Sequence, residues 1–200
     1  MQKLQLGAVV FDGFELLDLF GPLEMFGLAR EQFDIRLLSF AGSKARSSAG
    51  PVVEADHSFN AVERLDLLLV PGGLGTRQLV ENQPWIDALH GLAERSHWVA
   101  SVCTGSALLA RTGVLDGRRA TTNKLAYRWA TAQGHGVDWQ PKARWVEDGE
   151  IFTSSGVSAG TDMALAMIAR ICGHTRALEI AHLAEYIWNQ DPTDDPFAMP

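Results

Sequence analysis

The sequence predicts an α/β fold: one domain over residues 1–200, built on a doubly wound, mainly parallel sheet flanked by helices. Three observations point there. Strand-like apolar runs alternate with helical patterns along the whole body of the chain. The run Leu65–Val70, with DLLLV at its core, is continuously apolar, as a parallel strand covered on both faces must be. Several strand-like runs also lead through a short loop of small or acidic residues into a helical pattern. At 200 residues the chain is long enough to bury a substantial core.

Taken in order, Leu4–Phe11 reads as a buried first strand. Glu15–Arg30 reads as helix, with a break at Gly21-Pro22 where proline suits a first helical turn. Phe33–Phe40 is a strand and Pro51–Asp56 a shorter extended piece. Pro71-Gly72-Gly73 follows Leu65–Val70, and helical sequence runs over Trp85–Arg95. Trp98–Val102 is another buried strand, leading through Cys103 into a helix over Gly105–Thr112. Gly113 then fits the left-handed position after a helix. Arg118–Thr121 is a short strand, and Lys124–Gln133 a helix ending at Gly134. Trp145–Thr153 reads as a hairpin turning at Asp148-Gly149. Two last helices, Thr161–Ile171 and Thr175–Ile187, are separated by Gly173. The segment 190–200, rich in proline and aspartate, is expected to be irregular. Trp85, Trp98, Trp129 and Trp145 are expected to pack in or against the core.

Composition narrows the function classes. A formal charge of −7 with no clustered Lys or Arg argues against nucleic-acid binding. The apolar N-terminal run is too short for a signal peptide or a membrane span, so a cytoplasmic protein without a membrane partner is expected. Six scattered histidines and no Cys-x-x-Cys spacing predict no metal. The two cysteines, Cys103 and Cys172, are expected to stay reduced. Cys172 reads as a packing residue.

The chemistry should lie beyond the carboxyl ends of the strands, at the switch point of the strand order. Three such loops carry unusual residues: Asp12 to Asp18, Pro71-Gly72-Gly73, and Cys103-Thr104-Gly105. Parallel strands put all three on one rim. Cys103 is then either a small buried hydrophobe or a nucleophile at a helix start. The helix dipole there favours thiolate and lowers the thiol's pKa. Backbone N–H groups of Gly72 and Gly73, with those of the first turn of the helix after Cys103, are suited to holding a developing negative charge. Asp18 lies in LLDLF, where burial raises a carboxyl pKa and suits it to proton transfer. The plain alternatives are a turn at Gly72-Gly73 and a capping or ion-pairing role for Asp18.

Together, LLDLFGPLE (16–24), LLVPGGLG (68–75), SVCTGSALLARTGVLDGRRATT (101–122) and EDGEIFTSSGVSAGTDMALAM (147–167) resemble the ThiJ/PfpI superfamily. Its fold is flavodoxin-like, related to class I glutamine amidotransferases. Within it the chain is most similar to the isocyanide hydratase branch and to the ligand domains of AraC-type regulators. The resemblance implies Cys103 as nucleophile, Asp18 as its acidic partner, and Gly72, Gly73 and Thr104 as substrate- or oxyanion-binding residues. It also implies a homodimer, a small-molecule substrate and no cofactor. Superfamily proteases and deglycases typically place histidine directly after the nucleophile, where this chain has Thr104. Many relatives carry His-Trp after Ala-Thr-Thr, where this chain has Asn123-Lys124, so a Cys–His dyad through that position is not expected. The expected reaction is hydration of an isocyanide to an N-substituted formamide. The alternatives are a glyoxalase- or hydrolase-like reaction on small carbonyl compounds, or ligand or oxidant sensing. The short stretch after the last helix leaves no room for a DNA-binding module.

Overall fold

A computed structural model describes residues 3–198. Its centre is a seven-stranded sheet built from β1 (Leu4–Val9), β2 (Phe33–Ser39), β5 (His57–Ser58), β6 (Leu65–Val70), β7 (Ser96–Val102), β10 (Trp145–Asp148) and β11 (Ile151–Ser154). The order across it is β10-β11-β7-β6-β1-β2-β5. All neighbours are parallel except β10, which runs antiparallel to β11. Helices α1 (Leu16–Leu28), α3 (Gln83–Glu94), α4 (Gly105–Thr112), α6 (Ala159–Cys172) and α7 (His174–Leu183) flank it, with short helices α2 (Thr76–Leu79) and α5 (Tyr127–Thr131). The doubly wound sheet expected from the alternation, and the flavodoxin-like fold implied by the resemblance, are therefore present.

Burial explains why the central strands form where they do. In β6 five of six residues are buried, and Leu67, Leu68, Leu69 and Val70 are at most 1% exposed. A strand covered on both faces has no polar side, so its sequence is a continuous apolar run. The chain steps from β1 outward to β2, then returns to the other side of β1 with β6. The switch point thus falls between β1 and β6, where a crevice opens beyond the strand ends. The two loops there are tied together: Phe14 bridges Gly73, the Glu15 N–H donates to the Gly72 carbonyl at 2.9 Å, and the Gly75 N–H donates to the Gly13 carbonyl at 3.1 Å.

Several elements differ from the sequence expectation. α1 runs unbroken through Gly21 and Pro22; the proline sits inside the helix, not at its start. Gly21 is the close-approach point to α6, since a Cβ there would lie 2.6 Å from Thr161 Oγ1. The hairpin β10–β11 turns at Gly149-Glu150, because Asp148 is already paired with Ile151. Gly149 has φ 63°, the positive value such a two-residue turn requires at its first position. β3 (Lys44–Arg46) and β4 (Val52–Glu54) form a small separate hairpin, of which only the second strand was expected. A two-stranded ribbon of β8 (Arg119–Ala120) and β9 (Asp138–Trp139) completes the strands. The helix expected from Lys124 begins only at Tyr127, because residues 123–126 form a turn in which Asn123 Oδ1 accepts the Ala126 N–H at 2.8 Å. After α7 the chain has no further helix or strand through Ala198, yet it is anchored. Fully buried Asp162 accepts hydrogen bonds from Arg144, the Tyr186 hydroxyl and the Asn189 N–H.

Candidate active site

Cys103 follows the last residue of β7 and precedes α4. Its φ is 56°, left-handed backbone that a non-glycine residue adopts at a cost of order 1–3 kcal/mol and that clusters at functional turns. The elbow is clamped on every side. The Cys103 N–H donates to the carbonyls of Ser154 and Ser155, at 3.1 and 3.2 Å. Its own carbonyl accepts from Ser106 Oγ and Thr122 Oγ1, at 3.0 and 3.1 Å. The tightness of the turn also dictates Gly105, where a Cβ would run into the Val70 carbonyl oxygen. A β-strand, a strained turn and a helix present the thiol on the rim, the arrangement of a nucleophile elbow.

Asp18 meets it from the first turn of α1 and is completely buried. One carboxyl oxygen, Oδ2, accepts the Gly72 N–H at 3.0 Å. The other, Oδ1, has no hydrogen-bond partner, and Cys103 is the side chain whose thiol influences the titration of the carboxyl. Burial is the dominant influence and pushes Asp18 up to about 7, against the pull of the Cys103 and Gly72 hydrogen bonds. The Cys103 thiol is also pushed up, first by burial and then by the negative charge of Asp18. This corrects the expectation of a thiol lowered at the helix start: desolvation pushes it up, and the neighbouring carboxylate opposes a second negative charge. Two donors pull the other way, the Thr104 backbone N–H and the Asn123 side chain. Asp18 and Cys103 therefore titrate as a coupled pair.

The glycine loop plays a different part from the one its sequence suggests. The Gly72 N–H is taken by Asp18, and the Gly73 N–H donates to Thr104 Oγ1 at 3.0 Å. Both donors expected for an oxyanion are thus engaged within the protein. Gly72 is needed for its lack of a side chain: a Cβ would lie 2.5 Å from the Thr104 nitrogen and 2.8 Å from Asp18 Oδ2. Thr104 ties the loops together, its hydroxyl also receiving a hydrogen bond from Thr76 Oγ1 at 3.2 Å.

Three neighbours of the thiol were not expected from the sequence as site residues. Gly156, just after β11, lies so close that a Cβ would sit 2.9 Å from Cys103 Sγ and would also clash with the Asn123 amide. Asn123, in place of the histidine implied by the resemblance, offers the sulfur an amide donor that does not titrate. Lys124 turns the other way: its Nζ is buried on Thr121 Oγ1 and the Ala143 carbonyl, and burial lowers its pKa to about 8. The third neighbour is Arg77, whose titration responds to the charge of Cys103. Nothing in the local pattern TRQLV marked it. Cys172, at the end of α6, is half-buried and unpaired. Asn123 and Gly156 also wall a cavity of about 400 Å³, with Leu17, Leu125, Ser158 and Phe197.

The pattern of the DJ-1/PfpI family matches residues 7–170, which span the elbow, the glycine loop and Asp18. The chain belongs to the DJ-1/PfpI family. It is 32% identical over 183 residues to an isonitrile hydratase of Pseudomonas putida, covering 92% of this chain and 78% of that one. A deglycase of Thermococcus kodakarensis is 32% identical over 113 residues, 56% of this chain and 67% of that protein. Among solved structures, a ThiJ/PfpI family protein from Pseudomonas syringae superposes with a TM-score of 0.81 at 29% identity, covering 98% of this chain and 78% of that one. This DJ-1/PfpI chain thus shares its family with enzymes of more than one reaction type. No helix among its described residues is long and apolar enough to cross a membrane.

Proposed function

We propose that this protein is a cysteine-dependent enzyme that hydrates isocyanides to N-substituted formamides, with Cys103 as nucleophile and Asp18 as the acid–base group. The observation that carries the reading is the pairing of a strained, clamped thiol with a buried carboxyl whose free oxygen has no other polar partner. A carboxyl that titrates near neutrality is suited both to give and to take a proton. As the Cys103 sulfur attacks the terminal isocyanide carbon, the Asp18 carboxylate takes the thiol proton and delivers it to that carbon, giving a thioimidate on sulfur. Asp18, now ionised, takes a proton from water as the hydroxide adds to the same carbon. The new hydroxyl's proton passes to nitrogen, the carbon–sulfur bond breaks, and the formamide leaves as Asp18 returns its proton to the sulfur. No cofactor enters this sequence. Gly72, Gly73 and Thr104 shape the pocket in this reading, and Asn123 and the Thr104 N–H support the negative sulfur.

Similarity to the deglycase favours a second reading, in which the same thiol acts on a small carbonyl compound. Incubation with cyclohexyl isocyanide and, separately, with methylglyoxal distinguishes the two. Catalytic formamide with little lactate is expected; lactate without formamide would replace the hydratase reading with a glyoxalase one. Neither product, with Cys103 readily oxidised by peroxide, would favour a sensing role.

We further propose that two copies of this chain associate. Leu17 and Phe20 on α1 are 46% and 42% exposed, and Leu125 and Phe197 add apolar surface around the cavity beside the thiol. Sedimentation equilibrium is expected to give twice the chain mass, and a monomer at micromolar concentration would refute the association.

A further inference from the structure

We propose that Arg77, laid over Trp129, is the subsite for an anionic group of the substrate, so that the substrates of this enzyme are small electrophiles carrying a carboxylate or a similar negative group. The inference rests on Cys103 being the reacting thiol and says which of its substrates bind best.

Four features support it. The Arg77 guanidinium lies 3.4 Å from the centre of the Trp129 ring, a stacked cation that is oriented without the help of an acidic partner. None of the seven ion pairs among the described residues includes Arg77. Its planar donors match a carboxylate's two oxygens, and the residue is exposed to an incoming ligand. Finally, the cation is held beside the chemistry. Arg77 follows Thr76, whose hydroxyl is bonded to Thr104 next to the nucleophile, and its guanidinium feels the charge of Cys103. Burial lowers the Arg77 pKa, and a negative charge on Cys103 raises it. In a chain of net charge −7, an arginine without an ion pair at that point makes a local attraction for anions. Trp129, expected from the sequence to be only a packing residue, is half-buried and serves as the platform.

Alkylation of Cys103 tests the subsite without requiring turnover. Iodoacetate and iodoacetamide differ mainly in charge, and the ratio of their rates at Cys103, followed by peptide mass spectrometry, reads the local preference for an anion. In Arg77→Gln this ratio is expected to fall about fivefold, the scale of one unit charge at a solvent-accessible site. Arg77→Lys, which keeps the charge, should retain most of it. An unchanged ratio in Arg77→Gln would overturn the proposal; if both rates fell equally, Arg77 would be acting on the thiolate and not on the ligand. Turnover gives a second measure. With isocyanoacetate, Arg77→Gln should raise KM severalfold more than it does with methyl isocyanoacetate, and an equal change with both would place the effect on the thiol. Absence of formamide from both isocyanides, with the alkylation ratio still lowered, would sink the hydratase reading and leave the anion subsite standing.

Discussion

Cys103→Ala is expected to abolish formamide production, with a loss of at least ~10⁴-fold, while the protein stays folded. Loss of a covalent nucleophile removes the path itself and not merely one stabilising contact within it. The fold should survive because the hydrogen bonds that hold the elbow all involve the Cys103 backbone, through Ser154, Ser155, Ser106 and Thr122. The thiol is buried, but alanine leaves only a small void beside Gly156 and Asn123. A companion variant separates strain from chemistry. Cys103→Gly is equally inactive, yet should be more stable than Cys103→Ala by up to about 1 kcal/mol, because φ 56° suits glycine and strains alanine. Steady-state assay with thermal melts of the three proteins checks both statements. Formamide made at the wild-type rate by Cys103→Ala would end the covalent mechanism, since Cys172 lies at the far end of α6, outside the three loops that frame the site.

Asp18→Asn is expected to lower kcat by ~10²–10⁴-fold and to make the protein more stable at alkaline pH. Asparagine keeps the shape and can still accept the Gly72 N–H through its carbonyl oxygen, but it cannot exchange a proton with sulfur, substrate or water. The stability change follows from the direction of the titration. Asp18 holds its proton up to about 7 in the folded protein, against 3.8 for the exposed group. Between these values the folded state binds more protons than the unfolded one, so stability falls as pH rises. Below pH 4 there is no penalty, and above pH 7 it is complete. Its ceiling is about 4 kcal/mol, reduced wherever the Cys103 thiol relaxes to share the charge. Urea melts from pH 4 to pH 8 should therefore show the wild type losing stability relative to Asp18→Asn, and parallel curves would show that the carboxyl is not desolvated as described. Alkylation supplies the kinetic counterpart. In the wild type the reactivity of Cys103 should rise through pH 7 as the pair loses its first proton, and in Asp18→Asn that inflection should disappear.

The frame of the site was legible in the sequence because it depends on strong local signals. Leu65–Val70 and Gly105–Thr112 have the bounds expected of them, since a doubly covered strand must be continuously apolar and Gly113, at φ 83°, ends its helix in the left-handed conformation. The alternation of such segments implies parallel strands, and parallel strands put Asp18, Gly72, Gly73, Cys103 and Thr104 on one rim before any coordinate is known. Local signals were weaker where a side chain or a missing N–H decided the outcome. Packing against α6 carries α1 through Pro22, and Asn123 and the inward Lys124 replace the expected first turn of α5.

What tertiary structure alone decided is the electrostatics and the hydrogen-bond partners. From sequence, a helix start lowers a thiol pKa; in the fold, burial and the carboxylate of Asp18 raise it, because desolvation depends on every element packed around the sulfur and not on its own helix. From sequence, Gly72 and Gly73 offer free N–H groups; in the fold, Asp18 and Thr104 have already taken them, residues 54 and 31 positions away along the chain. Arg77 and Trp129 lie 52 positions apart, on helices whose meeting no periodicity encodes. The residue types on the rim were set by the sequence itself. Which of them hold a proton, a donor or a charge was set by contacts between distant segments, because a charge's energy depends on what surrounds it in three dimensions.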